Sequence, residues 1–342
     1  MRISSTEQFR QGIDSILDQQ AKLNRTQQQL ATGKKILSPS DDPAAATQII
    51  KLSALIANNE QFDRNVGTAK NELEQQESVL ASSGNVLQRV RELAIQANNA
   101  TQSNQSRETI GDELKNLVDE FLQLANTKNA SGEYIFSGYN SRTPAFAKSG
   151  TGYVYQGDQG QRLLQVSEGT QLAVRDNGSD VFEGMRTGDG RFTLVSPATN
   201  AGGSLVTMTS TSDAEQEDYV ITFSQPDPDD DVIYSIIGSE SGAVKTGIYE
   251  PGAAFNFQGI TLEVEGAPAN GDSYQVNRSE RQSVFQTVRT ISDSLINDIN
   301  TPQQAAKLAN DLGQSLSTLD QALEQLQSRS TIVGNRLQAL DT

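Results

Sequence analysis

The side chains that could carry chemistry in this sequence are mainly carboxylates, because its 342 residues include no histidine and no cysteine. Without them the chain has neither imidazole nor thiolate, which excludes cysteine proteases, Ser-His-Asp triads and zinc sites with nitrogen or sulfur ligands. Asp41 and Asp42 could form a metal site or an acid–base pair. Pro43 favours another interpretation, in which Asp42 caps a helix that begins at Pro43 and both acids complement the helix dipole.

Two further motifs could bind ions. The acidic run from Asp227 to Asp231 lacks the spaced ligands, the glycine and the distal glutamate of a calcium loop, so we interpret it as a solvated turn. Gly33-Lys34-Lys35 lacks the upstream glycine and the following Ser or Thr of a phosphate loop, and we interpret it as a helix stop. Lys34 and Lys35 are either solvated or in contact with acidic neighbours in an assembly. The sequence thus predicts no catalytic residue, no metal site and no cofactor.

The negative net charge of the chain argues against polyanionic partners. Its net charge is −16 and its isoelectric point is near 4.5. Phosphate backbones and anionic membrane surfaces repel such a chain, so we expect neither nucleic acid nor a membrane as a partner. The opening residues, Met1 to Thr6, lack the apolar stretch of a cleaved signal peptide, and no apolar run approaches membrane-spanning length.

The N-terminal segment, about residues 7 to 37, carries a single apolar stripe at seven-residue spacing. The stripe consists of Phe9, Ile16, Leu23, Leu30 and Leu37. Its companion positions hold Ile13, but then Gln20 and Gln27, so the seam is thin. Short isolated helices are marginal in water. We therefore expect residues 1–42 to be partly disordered alone and to become ordered as an assembly interface against a partner.

A coiled-coil seam follows from residue 43 to about residue 99. Its positions, spaced alternately by three and four, include Leu52, Phe62, Val66, Leu73, Leu80 and Leu87. This spacing predicts one continuous helix, roughly 85 Å long at 1.5 Å per residue. After a polar break, Ile110, Leu114, Leu117, Phe121 and Leu124 predict a third helix that folds back antiparallel on the second.

From residue 132 to residue 278 the pattern changes to strands and glycine-rich turns. Tyr153–Tyr155 and Leu163–Val166 flank a turn at Gly157–Gly160 and predict a hairpin. Further strands are predicted at Leu205–Thr209, Tyr219–Phe223, Val232–Ile236, Ile260–Val264 and Tyr274–Val276.

Helix returns from residue 279 to the end of the sequence. Ser279 to Gln282 and Thr301 to Gln304 each match a capping box. The last helix carries a seam with Leu312, Leu319, Leu326 and Val333. With residues 43–131, residues 279–342 predict a discontinuous helical rod domain. The predicted fold is α+β, a long antiparallel coiled-coil rod with a mainly β domain, residues 132–278, at its tip. Because the seam still runs at Thr342, we expect the natural protein to continue.

Several motifs together resemble the bacterial flagellin family. Ala31-Thr32-Gly33-Lys34-Lys35-Ile36, followed by Pro39-Ser40-Asp41-Asp42-Pro43-Ala44-Ala45, is similar to the signature loop of that family. Met1–Ser4, Glu133–Gly138 and Asn335–Leu337 also resemble family motifs. Arg2, Thr143–Phe146, Tyr155–Asp158 and Gly271–Val276 resemble the hook-associated protein 3 branch.

The resemblance implies a structural, non-enzymatic role in the extracellular bacterial flagellum. It implies export through the flagellar type III channel without a cleaved signal, and assembly of the terminal helices into a tube. The implied partners are hook-associated protein 1, flagellin, neighbouring copies and an export chaperone that binds beyond Thr342. Filament flagellin and a surface adhesin are the alternatives. Since the C-terminal helix of the family is absent from this sequence, we expect this fragment to stay monomeric and not to assemble.

Overall fold

The protein has an α+β fold, as the sequence predicts. The computed structural model describes residues 5–150, 152–227 and 229–341. Met1 to Ser4, which carry one of the family motifs, lie outside the described residues. The helices are α1 (Ser5–Thr32), α2 (Pro43–Ala97), α3 (Asn104–Ala125), α4 (Gly178–Phe182), α5 (Val284–Leu295) and α6 (Pro302–Leu340). The chain divides into two compact units, Met1–Asn65 and Val66–Thr342.

The strands lie between α3 and α5. They are β1 (Phe146–Ser149), β2 (Gly152–Tyr155), β3 (Leu163–Ser167), β4 (Thr170–Ala173), β5 (Met185–Arg186), β6 (Phe192–Val195), β7 (Leu205–Ser210), β8 (Tyr219–Ser224), β9 (Ile233–Gly238), β10 (Gly242–Ile248), β11 (Ala254–Phe257), β12 (Ile260–Glu265), β13 (Ser273–Arg278) and β14 (Arg281–Gln282). The five strands predicted after residue 200 all form, within one or two residues of the expected ends.

Two antiparallel sheets pack face to face around one apolar core, which we call the β core. One sheet has the strand order β10-β9-β8-β13-β6 and the other has the order β11-β12-β7. Alternate residues of β8 point inward, so Tyr219, Ile221 and Phe223 are fully buried. The sheets meet through aromatic contacts, with ring centroids 5.2 Å apart for Tyr219 and Phe257 and 4.5 Å apart for Tyr234 and Phe255. Period-two alternation therefore suffices to build this core.

A second core, which we call the helical core, joins α2, α3, α5 and α6. It also contains Phe146 of β1 and Phe182 of α4, whose rings lie 5.8 Å apart and both contact the ring of Phe285 on α5. Most buried apolar side chains of residues 135–185 therefore belong to the helical core, and the β core begins at Phe192. The region predicted as one β domain, residues 132–278, is thus divided between two cores.

Two ion pairs mark the register in which α2 and α6 run antiparallel. Lys70 pairs with Asp341 at 3.1 Å, and Arg91 pairs with Asp320 at 2.8 Å. From Lys70 to Arg91 the chain advances 21 residues, and from Asp341 to Asp320 it goes back 21 residues. Both distances are three heptads, as expected for an antiparallel pair of helices. A similar relation joins α2 to α3, because Arg89 pairs with Glu113 and Gln75 donates to the carbonyl of Lys128. The predicted fold-back of the third helix is therefore observed.

Two local predictions are wrong. β2 pairs with β1 and β3 pairs with β4, so the hairpin predicted between Tyr153–Tyr155 and Leu163–Val166 does not form. The turn residue Asp158 instead accepts hydrogen bonds from the amides of Tyr139 and Gly160, at 2.9 and 2.7 Å. The second wrong prediction is the helix start at Ser279. Arg281 and Gln282 form strand β14, which pairs with β5, so no helix begins at Ser279.

The start of α5 is capped by Ser283 instead, which accepts from the amide of Gln286 at 3.2 Å. The capping box at Thr301 forms as predicted, with Gln304 completing it and Pro302 as the first helical residue of α6.

Candidate assembly interface

The apolar stripe of α1 is exposed along its length. Phe9 is 73% exposed and Leu30 is 85% exposed, and Ile16 and Leu23 are also exposed. Leu37 does not belong to this stripe, because α1 ends at Thr32 and Leu37 lies half-buried in the following loop. The seam predicted over five heptad positions is therefore four positions long. That the segment orders only against a partner stays a prediction.

The loop after α1 folds back on the end of that helix. Gly33 has a φ of +66°, a conformation that glycine adopts without strain, and it ends the helix as predicted. Gln29 donates to the carbonyl of Lys35 at 2.7 Å, and Arg25 pairs with Asp41 at 2.7 Å. These contacts give the loop a defined position at the C-terminal end of α1.

Asp41 and Asp42 have different roles, although the sequence pattern treats them together. Asp42 caps α2, because its Oδ1 accepts from the amide of Ala45 at 3.0 Å and Pro43 is the first helical residue. Asp41 instead closes the loop, since its Oδ2 accepts from the amides of Leu37 and Ser38 at 3.0 and 3.1 Å. These hydrogen bonds hold the pKa of Asp41 below its usual value.

The burial of the predicted seam of α2 increases along the helix. Leu52 is 53% exposed, and Phe62 and Val66 are half-buried. From Leu73 onward the seam is covered by the helical core, which contains Leu73, Leu80 and Leu87 of α2 together with Leu312, Leu319, Leu326 and Val333 of α6. Leu52 is therefore not buried as a rod seam residue in this chain. Ile49, Ile50, Leu55 and Ile56 are exposed with it, so the first half of α2 presents a second apolar surface.

A buried ionic cluster, which sequence reasoning missed, connects α2, α6 and the segment before α4. We call it the buried joint; it consists of Glu72, Gln76, Glu133, Arg175, Asp176 and Arg336. Arg175 donates to both carboxylate oxygens of Glu72 at 2.8 and 2.7 Å and to Glu133 at 2.8 Å. Asp176 is fully buried and accepts from Gln76 at 2.8 Å and from Arg336 at 2.9 Å.

The buried joint has electrostatic consequences for Glu133. The hydrogen bond from Arg175 holds the pKa of the Glu133 carboxyl below its usual value. Gln76 and Arg336 lie at heptad seam positions, but the sequence does not indicate that they meet Asp176, which is 100 and 160 residues away from them along the chain. Arg336 belongs to the Asn335–Leu337 motif, and it also occupies a heptad seam position of the last helix.

The acidic side chains of the described residues do not gather into a metal-binding cluster. Among residues 5–341, apart from the gaps at 151 and 228, no group of three metal-ligating side chains is found. The aspartates at 227, 229, 230 and 231 are exposed, as expected for a solvated turn, and Pro228 between them lies outside the described residues. No described helix is long and apolar enough to cross a membrane.

Comparisons with known proteins place this geometry in a family. A family model for the bacterial flagellin N-terminal helical region matches residues 6–141. The flagellar hook-associated protein 3 of Escherichia coli is 34% identical over 185 residues, which cover 54% of this chain and 57% of that protein. The match thus spans little more than half the length of this relative.

Solved structures match over more of the chain. The FlgL structure from Xanthomonas campestris has a TM-score of 0.78 and 32% identity, and the match covers 84% of this chain and 94% of that one. The flagellar junction protein FlgL from Legionella pneumophila has a TM-score of 0.79 and 31% identity, with 86% and 99% covered. On this evidence the chain belongs to the FlgL (hook-associated protein 3) family of flagellar proteins.

Proposed function

We propose that this chain is a structural adaptor subunit of the bacterial flagellum that joins the hook to the flagellin filament. The observation that carries the proposal is the pair of exposed apolar surfaces, one on α1 and one on the first half of α2. Contiguous apolar surfaces of this kind mark sites of protein association. Their heptad spacing suits partner helices rather than a small ligand.

Membership of the family supports a proposal for the partners. The adaptor contacts hook-associated protein 1 on one side and flagellin on the other, and it packs beside neighbouring copies of itself. It reaches the outside of the cell through the flagellar type III channel, with the help of an export chaperone. The lack of cysteine suits a chain that crosses redox compartments unfolded, because it cannot form disulfides on the way.

The role is mechanical rather than enzymatic. Asp41 and Asp42, the adjacent carboxylates that could have formed an acid–base pair, are both engaged in hydrogen bonds that shape the loop and cap α2. What the two units contribute instead is apolar surface on α1 and α2 and a firmly packed helical core.

A deletion experiment tests the proposal. Cells that lack the full-length gene should keep their hooks and release unpolymerised flagellin into the medium, and the full-length gene should restore filaments. A complementing gene with Leu30→Gln should fail to restore them, although the variant protein is still exported. If flagellin itself disappears from the medium and the purified protein forms long filaments alone, the chain is the filament subunit instead.

A screen against glycans separates the adaptor from an adhesin. The adaptor role predicts no specific glycan binding by residues 132–278. A specific binder at micromolar affinity would favour the adhesin.

A further inference from the structure

We propose that a cleft rich in arginine binds the acidic loop of a second copy of this chain. The cleft lies between α6 and the paired strands β5 and β14, with a volume of about 500 Å³. Its lining includes Arg186, Arg281, Arg329, Gln321 and Glu324, and it continues past Arg191 at the start of β6. We call this surface the arginine cleft.

The guanidinium groups of the arginine cleft are poorly neutralised within the chain. Arg186 donates to the carbonyl of Ser279 at 3.2 Å, and in the described residues neither Arg186 nor Arg281 forms an ion pair. Arg329 comes only to 4.0 Å from Asp180. In a chain with a net charge of −16, such a group of arginines is a local excess of positive charge. The guanidinium group of arginine binds carboxylates well, because it can donate two parallel hydrogen bonds to one carboxylate.

The nearby carboxylates are largely engaged elsewhere. Asp189 accepts from the amides of Arg191 and Phe192 at 2.9 and 2.8 Å, and from the hydroxyl of Ser210 at 2.7 Å. Asp180 accepts from the side-chain amide of Asn177 at 3.1 Å. The lining as a whole holds four arginines and three carboxylates (Asp180, Asp189 and Glu324), so the arginine cleft keeps a surplus of one positive charge. Glu324 is the lining carboxylate for which the described chain shows no such hydrogen bond.

The complementary surface is the acidic loop between β8 and β9. It carries Asp227, Asp229, Asp230 and Asp231, all exposed. Four carboxylates within five positions repel one another, and a cationic partner would relieve that repulsion. This loop is the densest run of acid in the sequence, which makes it the natural complement of the arginine cleft.

The sheet topology prevents the loop from reaching the arginine cleft of its own chain. The arginine cleft lies at the end of the five-stranded sheet where Phe192 pairs with Arg278, and Tyr219 of β8 is at that same end. The acidic loop follows Ser224, at the other end of β8. Six residues at about 3.3 Å each separate the two ends by roughly 20 Å. Complementarity is therefore available only between copies.

The resulting contact is head-to-tail, with a different surface used on each copy. Repeated contacts of this type close into a ring or continue as a helix. Exposed ion pairs contribute little individually and are screened by salt, so the contact is weak between free copies. It becomes effective where other interactions already hold copies side by side. The weak contact between free copies can be measured at high protein concentration, so its test does not depend on the proposed function.

Cysteine cross-linking tests the contact without background, since the chain has no cysteine. Ser328→Cys places a thiol in the arginine cleft, and Pro226→Cys places one beside the acidic loop; both positions are exposed and uncharged. Mixed at high protein concentration under mild oxidation, the two variants should give about ten times more cross-linked heterodimer than a control mixture. The control pairs Ser328→Cys with Thr207→Cys, an exposed position on the three-stranded sheet.

Charge reversal makes the test specific. Adding Arg281→Glu to the Ser328→Cys variant should reduce the yield of heterodimer to the control level. Adding Asp230→Lys to the Pro226→Cys variant should then restore the yield. Glu324→Gln should raise the yield, and high salt should lower it. A heterodimer yield at the control level would overturn the proposal. A yield that does not change when Arg281→Glu and Asp230→Lys are introduced would overturn it as well. Thermal unfolding of each variant confirms that the exposed substitutions leave the fold intact.

Discussion

Arg336 donates a hydrogen bond from Nη1 to Oδ1 of Asp176 over 2.9 Å, and the Asp176 side chain is completely shielded from solvent. Arg336 lies near the end of α6, and Asp176 also accepts from Gln76 of α2. One buried carboxylate therefore joins the antiparallel helices α2 and α6 to the segment that leads into α4.

Removing Arg336 should destabilise the protein strongly. Arg336→Gln would leave the carboxylate of Asp176 buried without a cationic partner, at a cost of about 3 kcal/mol in the free energy of unfolding. Urea denaturation followed by circular dichroism measures this. Lys70→Gln is the matched control, because Lys70 also joins α2 to α6 but its ion pair with Asp341 is exposed. The control should lose no more than about 0.5 kcal/mol. Equal losses would contradict a special role for Asp176.

The lowered pKa of Glu133 predicts loss of stability in acid. Because the folded state holds this pKa below its usual value of 4.5, Glu133 binds protons more readily when the chain is unfolded. The stabilisation is fully present above pH 4.5 and is lost as the pH falls through 4.5 toward the folded pKa. Melting temperatures between pH 7 and pH 3 should therefore fall less steeply for Glu133→Gln than for the wild type.

Arg175→Met provides a second check, since Arg175 is the main cause of the lowered pKa. It should flatten the same part of the pH profile, although it also lowers stability at neutral pH, because Glu72 would then keep only Arg162, at 3.9 Å, as a cationic partner. A Glu133→Gln variant that keeps the full wild-type slope would show that other carboxylates govern the acid response.

Two glycines should respond to alanine in opposite directions. Gly188 has a φ of +66°, and an added Cβ would collide with the carbonyl oxygen of Phe192, so Gly188→Ala should cost about 2–4 kcal/mol. Gly313 lies on the exposed face of α6 with open space around it, so Gly313→Ala should add about 0.5–1 kcal/mol. Urea denaturation of both variants measures the two changes, and a stabilising Gly188→Ala would contradict the backbone geometry.

Two leucines of α2 should separate assembly from folding. Leu80 is 2% exposed, so Leu80→Ala should lower the free energy of unfolding by about 2–5 kcal/mol. Leu52 occupies the same heptad position 28 residues earlier but is exposed, so Leu52→Ala should change it by less than about 0.5 kcal/mol.

The same pair should behave differently in cells. Leu52→Ala should reduce swimming in a complementation assay despite its normal stability, because the exposed apolar surface is the proposed interface. A stable Leu52→Ala variant that restores full motility would remove this leucine from the interface.

The sequence alone determined the helices, their seams and most of the β core strands. Heptad spacing and period-two alternation are local properties, so α2, α6 and strands such as β8 follow from the order of apolar residues. Asp42 with Pro43, and Thr301 with Gln304, likewise set helix starts through contacts with neighbours a few residues away.

Only the tertiary structure decided which parts of those seams are covered and which strands pair. Leu52 and Leu80 have the same pattern, but burial depends on where α6 lies along α2, which follows from how the apolar residues of the helical core pack together. The buried joint was hidden for the same reason, since Asp176 meets Arg336 across 160 residues. Local sequence patterns specify elements, whereas partners far apart in the chain are chosen by how those elements pack together.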